Sequence, residues 1–295
     1  MPVKPEVSLL DWLKSWPLAL LPHQLLSRVV RRATRWRTRW WKNLLIRVFT
    51  WHFGVDLSEA RIRRPEDYPD FNSFFTRALR PGVRQMPQEQ QAIACPVDGS
   101  ISQLGDIREG SLFQAKGREY SLQTLLGGNA DRASPFLNGK FITLYLSPRD
   151  YHRIHMPVAG RLRETCYVPG RLFSVAPHTT RAIPGLFTRN ERLCTVFDTA
   201  AGPMAMVLVG AIFVSCIETV WEGVVNPTLG GSLAVRHFPD AGTPPAGLQR
   251  GDEMGRFNMG STVILLYGRD RVDWLADLQP GGTVRLGDVL GRVRS

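Results

Sequence analysis

Apolar positions in the first fifty residues recur at helical spacing. Trp36, Trp40, Trp41, Leu44, Leu45, Val48 and Phe49 share one broad helical face, while Arg35, Arg39 and Lys42 fall on the other and Arg37 and Arg47 break the pattern. A shorter helix is predicted from Ser8, whose hydroxyl can cap it with Asp11 at the third position. It aligns Leu9, Trp12, Leu13 and Trp16 and stops at Pro17. Leu25, Leu26, Val29 and Val30 repeat the spacing, and residues 70–79 form another amphipathic segment, with Asp70 as N-cap and Pro81-Gly82 as its stop.

From Ala92 onward the signals are those of strands. Residues 141–146 and 261–267 read as strands, and 194–198, a turn at 201–203 and 204–209 as a hairpin leading into a second buried strand at 212–220. Residues 283–293 alternate short strand, Gly turn and short strand, as at the corner of a barrel or sandwich. The expected fold class is α+β, with N-terminal amphipathic helices (1–60) on a mainly β, sandwich- or barrel-like catalytic domain (61–295).

Charge sharpens this division. The 295 residues carry a net +11, and residues 1–55 hold ten Lys/Arg against two acids, a local +8. Six of the eight tryptophans lie there too. A run of ~20 apolar residues, which a spanning helix needs, is absent from this segment. The longest apolar run elsewhere, 204–217, has 14 residues and suits buried strands. A basic, Trp-rich helix without a span lies in the plane of an anionic membrane surface. A nucleic-acid arm would account for the arginines but not for the Trp/Leu stripe. With no removable signal apparent, the cytoplasmic side of a bacterial inner membrane is the expected place. Cys95, Cys166, Cys194 and Cys216 show no CxxC spacing and are expected to be free, buried thiols, with no metal site.

Three turns could carry chemistry. Pro96-Val97-Asp98-Gly99 puts an acid beside a strand; His152 and His155 follow the strand 141–146; and Gly260-Ser261-Thr262 precedes a strongly apolar strand. One Asp, one His and one Ser are the parts that activate a hydroxyl. The nucleophile-elbow pattern GxSxG is absent. The Gly260 carbonyl, with no Cβ beside it, is open to attack by Ser261. A serine hydrolase using Asp98, His155 and Ser261, and a non-catalytic anionic-lipid-binding protein, are the alternatives these residues leave open.

Gly251-Asp-Glu-Met-Gly-Arg-Phe-Asn-Met-Gly-Ser-Thr-Val-Ile264, together with Tyr145-Leu-Ser-Pro-Arg-Asp-Tyr-His-Arg-Ile-His-Met-Pro157, Pro96-Val-Asp-Gly99, Phe71-Asn-Ser-Phe-Phe-Thr-Arg77 and Asn190-Glu-Arg192, resembles the bacterial-type phosphatidylserine decarboxylase family. The resemblance runs from about residue 8 to about residue 292. The family's usual Leu-Gly-Ser-Thr reads Met259-Gly260-Ser261-Thr262 here, a volume-conserving change. The resemblance implies self-cleavage between Gly260 and Ser261 into a β chain (1–260) and an α chain (261–295), with Ser261 converted to a covalent pyruvoyl group. It implies Asp98, His155 and Ser261 as the processing residues and His152 in decarboxylation. The pyruvoyl carbonyl would form a Schiff base with phosphatidylserine, and loss of CO2 would give phosphatidylethanolamine. A homodimer of such processed pairs is a further possibility. His178 and Lys116 stay outside the catalytic set.

Overall fold

The computed structural model describes residues 8, 11–13, 15, 23–115, 118–212, 216–225, 231–238, 247–258 and 261–294. Gly260, Lys116, and parts of the 8–16 helix lie outside the described residues, although positions 11–13 and 15 are helical. Among the described residues no helix is long and apolar enough to cross a membrane.

The helices His23–Thr34 and Arg39–Phe53 carry the basic N-terminal pattern, and Gly54, in the left-handed conformation at φ 64°, closes the second by donating its N–H to the Thr50 carbonyl. The broad apolar face of that helix is divided in the structure. Leu45, Ile46, Phe49 and Phe53 pack inward on Val55, Tyr68, Phe71, Phe74 and Phe75, whereas Trp40, Leu44, Val48 and Trp51 face outward. Two adjacent i, i+4 rows are therefore put to different uses. Lys42, expected on the solvated face, is buried because it lies one turn before Ile46; its ammonium donates to Asn43 Oδ1 and the Glu66 carbonyl, both at 2.8 Å. The apolar cluster joins residues from both sides of position 60.

Asp70 caps its helix as expected, its Oδ1 accepting from Ser73 N–H at 2.8 Å, but the helix covers only Phe71–Phe75. The chain then turns so that Leu79 pairs with Ala60. That long-range pairing takes the place of another helical turn.

The body is an open, antiparallel eight-stranded sheet. Its strands stand in the order Ala234–His237, Gly160–Val168, Arg192–Thr199, Gly202–Gly210, Ser261–Tyr267, Lys140–Leu146, Gly99–Asp106, Thr283–Val284. The Ser261 strand lies inside it and is buried at all seven positions. Val263, Leu265 and Tyr267 feed one core and Ile264 and Leu266 the other, which explains an apolar run without alternation. Two smaller sheets cover the first face, so the architecture is sandwich-like there. Short helices and the hairpin of Ser111–Ala115 and Arg118–Ser121 cover the second. The predicted hairpin forms as Arg192–Thr199 and Gly202–Gly210.

Among the described residues of the strand expected over 212–220, Ile217–Thr219 form a strand, which pairs with Glu253–Phe257 in a second sheet, the main-sheet ladder ending where Gly210 meets Ser261; residues 213–215 lie outside the described residues. The corner at 283–293 is as expected. Thr283–Val284 borders the main sheet, Val289–Val293 lies in another, and Gly287 turns between them at φ 92°, where a Cβ would come within 2.3 Å of the Gln85 carbonyl oxygen.

Candidate active site

Ser261 opens the central strand, its neighbours being Leu146 on one side and Gly210 on the other. It is fully buried, and among the described residues its Oγ has no hydrogen-bond partner. Buried polar atoms are nearly always paired, so an orphaned hydroxyl at this point is a feature to explain. It borders a cavity of about 370 Å³ walled mainly by apolar side chains, among them Phe49, Phe53, Phe75, Tyr145 and Val175.

Phe75 links this cavity to His152. The two rings lie 4.2 Å apart, and the imidazole is fully buried. His152 Nδ1 donates to the Asp150 carbonyl at 2.9 Å, since a carbonyl can only accept, and Nε2 has no partner among the described residues. Burial first, then the nearby positive charge of Arg77, lowers the His152 pKa to about 3. The ring is thus neutral, with a bare nitrogen.

The strands Arg153–His155 and Glu253–Phe257 run antiparallel, and Phe257 donates its N–H to the His152 carbonyl at 3.0 Å. His152 therefore stands beside the end of the strand that leads towards Ser261. His155 stands opposite Glu253, at the other end. Its Nδ1 donates to the Gly251 carbonyl at 2.7 Å, and in the neutral ring Nε2 accepts from the Tyr151 hydroxyl at 2.9 Å. Burial lowers its pKa as well.

Asp98 is anchored next to this strand, because His155 donates its backbone N–H to the Pro96 carbonyl at 2.9 Å. The Asp98 carboxylate, however, is occupied by Arg84 Nη2 at 2.6 Å, Arg84 Nε at 3.2 Å and the Leu286 N–H at 2.7 Å, while Arg84 also pairs with Glu59 at 2.8 Å. Asp98 and His155 are thus neighbours whose polar atoms are bonded elsewhere, and the Asp98 charge reaches the imidazole through space. Phe75 lines the same cavity as Ser261 and packs on His152, while the Asp98–His155 pair stands further along the sheet. His178 is half-buried in the helix Pro177–Ala182.

Sequence reasoning passed over Arg84, Glu59, Phe75 and Tyr151 as site residues. Arg84 sits in a loop with no periodicity, and only its ion pair reveals it. Phe75 was visible as a core position, and only tertiary packing makes it a wall of the cavity. All four cysteines are buried and free, and among the described residues no group of three or more His, Cys, Asp or Glu is placed to hold a metal ion.

Comparison with known proteins fits this arrangement. The family model described as phosphatidylserine decarboxylase matches residues 71–292, and a model described as PSD matches residues 13–54. The phosphatidylserine decarboxylase proenzyme of Nitrosococcus oceani is 53% identical over 287 residues, covering 96% of this chain and 92% of the relative. The proenzyme of Methylococcus capsulatus is 55% identical over 277 residues, 93% of this chain and 94% of the relative. That of Stutzerimonas stutzeri is 52% identical over 273 residues, 92% of each. These matches take in both the basic helices and the sheet that presents Ser261, and by them the chain belongs to the phosphatidylserine decarboxylase family.

Proposed function

We propose that the chain is made as a proenzyme that cleaves itself between Gly260 and Ser261, and that the processed enzyme converts phosphatidylserine to phosphatidylethanolamine and CO2. The observation that carries this reading is the buried, unpartnered Ser261 hydroxyl at the head of the central strand. An ordinary hydrolase serine would be expected to lie open to water with a histidine on its oxygen.

Processing is a balanced rearrangement of the chain. The Ser261 Oγ gives up its proton to a base and bonds to the Gly260 carbonyl carbon; the Gly260–Ser261 C–N bond breaks, leaving an ester and a free amine. Removal of the α-proton then expels Gly260 as a carboxylate and leaves a dehydroalanine. Water replaces its nitrogen, releasing ammonia and a pyruvoyl group. His155 is the base in this reading on its match to the family's motif; burial lowers its pKa, Asp98 supports it by charge, and its Nε2 must give up the Tyr151 hydroxyl to take the serine proton.

The surroundings of Ser261 fit such a group. A small ketone would take the space of the serine side chain, which borders a cavity walled mainly by apolar side chains. That group supplies an electron sink for the carbanion left when CO2 departs, which ordinary side chains lack. In this reading His152, whose ring packs on the cavity-lining Phe75, supplies a neutral nitrogen for moving a proton. Phe49 and Phe53 wall the cavity from the helix whose adjacent row exposes Trp40, Leu44, Val48 and Trp51. In our reading this row lies in the headgroup layer of the cytoplasmic face of the inner membrane, so that the lipid enters without leaving the bilayer.

Denaturing mass spectrometry tests the reading. Wild type should resolve into two chains, the smaller starting at a blocked residue 261, and Ser261→Ala and His155→Ala should remain whole. His152→Ala should cleave yet decarboxylate poorly. An active preparation consisting of one full-length chain would overturn the proposal.

A further inference from the structure

We propose that Arg77 is a positioning residue for His152, its guanidinium and the Asp150 carbonyl together holding the imidazole as the neutral tautomer with the proton on Nδ1 and the lone pair on Nε2. This rests on the reading that His152 moves a proton during decarboxylation.

The geometry is a convergence on one oxygen. The Asp150 carbonyl accepts from His152 Nδ1 at 2.9 Å and from Arg77 Nη2 at 3.3 Å, and the same Nη2 donates to the Arg149 carbonyl at 2.7 Å. Arg77 thereby fixes the turn that carries the acceptor, and the acceptor fixes the tautomer. Arg77 is only 6% exposed, and its Nη1 has no hydrogen-bond partner among the described residues. Among the described residues no carboxylate lies within ion-pair distance of it. A buried cation without a counter-ion is costly, so structure alone is a poor reason for an arginine here.

The charges around His152 make Arg77 the decisive one. The Asp150 carboxylate turns back to the Ser147 N–H at 2.7 Å, with Arg149 3.9 Å from its other oxygen. On the neighbouring strands Arg153 and Glu253 pair with each other at 2.8 Å. Asp98, Asp56 and Tyr68 act on Arg77 from a distance. Arg77 is the charge that opposes protonation of His152, on top of burial. Its removal also makes the Asp150 carbonyl a better acceptor for an imidazolium proton, so both effects raise the His152 pKa.

The test uses the full-length chain with Ser261→Ala, uncleaved and in detergent, with ¹⁵N-labelled histidine. The His152 signals are assigned by their loss in His152→Ala. In the parent they should report the Nδ1–H tautomer unchanged from pH 8 to pH 5. In Arg77→Met they should show mixed tautomers and, at the acid end of that range, an imidazolium fraction about tenfold above the parent's, a shift of about one pH unit. Arg77→Lys, kept in case the Met variant does not fold, retains the charge and should leave titration suppressed while the tautomers mix. Signals identical to the parent in either variant would overturn the proposal. In the cleavable background, the acidic limb of kcat/KM per cleaved chain should move up by about one pH unit or more in Arg77→Met, a tenfold change at the affected pH. An equal loss at every pH would mark Arg77 as merely structural and overturn it too. Normal turnover by His152→Ala would instead remove the role of His152 and leave the tautomer result standing.

Discussion

Replacing Asp98 by Asn separates two roles that the structure superimposes on one carboxylate. The side chain accepts from Arg84 Nη2 at 2.6 Å and Nε at 3.2 Å, and from the Leu286 N–H at 2.7 Å. Asn keeps an oxygen for Leu286 but turns an N–H towards Arg84, whose side chain is 8% exposed. Hydrogen bonds to charged groups contribute about 1.5–3 kcal/mol, and a buried charge left wholly unpaired costs about 3–5 kcal/mol. Glu59 remains at 2.8 Å from Arg84, so the lower range applies. About 2 kcal/mol is expected, a fall in Tm of about 4–8 °C for a domain of this size. It is measured by thermal unfolding in the Ser261→Ala background, where every molecule is one chain. Arg84→Met should lose similar stability while leaving the Asp98 charge free to act on His155, so in the cleavable background it should still self-process where Asp98→Asn does not. Asp98→Asn melting within about 1 °C of its parent would refute the energetic reasoning. Equal loss of cleavage in both variants would reduce Asp98 to an architectural part.

Two further outcomes are expected. Because burial, aided by Arg77, holds the His152 pKa at about 3 in the folded chain, against about 6.5 in an unfolded one, the folded state binds fewer protons in between. The stability this contributes is complete above about 6.5 and is lost as pH falls towards 3. His152→Leu in the uncleaved background should flatten the stability profile between those limits by up to one proton, about 1.4 kcal/mol per pH unit, and an unchanged slope would acquit His152. Trp40→Ser and Trp51→Ser, at positions 64% and 83% exposed, should leave the melting temperature alone. Each should weaken co-sedimentation with anionic-lipid vesicles about tenfold, the loss of one buried indole at roughly 1.5 kcal/mol; wild-type binding by both would remove this helix row from the membrane contact.

In the proposed processing, the placement of Ser261 would also decide whether the two chains stay together. The strand Ser261–Tyr267 pairs along its whole length with Lys140–Leu146 and Gly202–Gly210. Thr283–Val284 and Val289–Val293 are held in two different sheets. A break before Ser261, as proposed, would therefore leave the smaller chain clamped between strands of the larger one, and the ladder that buries the hydroxyl would also retain the product.

Much of this was legible in one dimension. An apolar run of strand length marked the Ser261 strand, and helical spacing marked 39–53. Asp70 marked a cap, and the motifs around Asp98, His152, His155 and Ser261 marked the family. These are local properties, set by backbone period, by side-chain hydrogen bonds to the nearest turn, and by which residue types a reaction requires. Tertiary structure decided everything that depends on what lies across a gap in sequence. It split one helical face between a core and the outside, because burial depends on the neighbour a row meets and not on its spacing. It buried Lys42 by offering a carbonyl 24 residues away. It gave Asp98 to Arg84 and Leu286 in place of His155, and it set Phe75 between His152 and the cavity. The polarity of a side chain is written in the chain, but its partner is chosen by distance, and distance exists only once the sheets have closed around it.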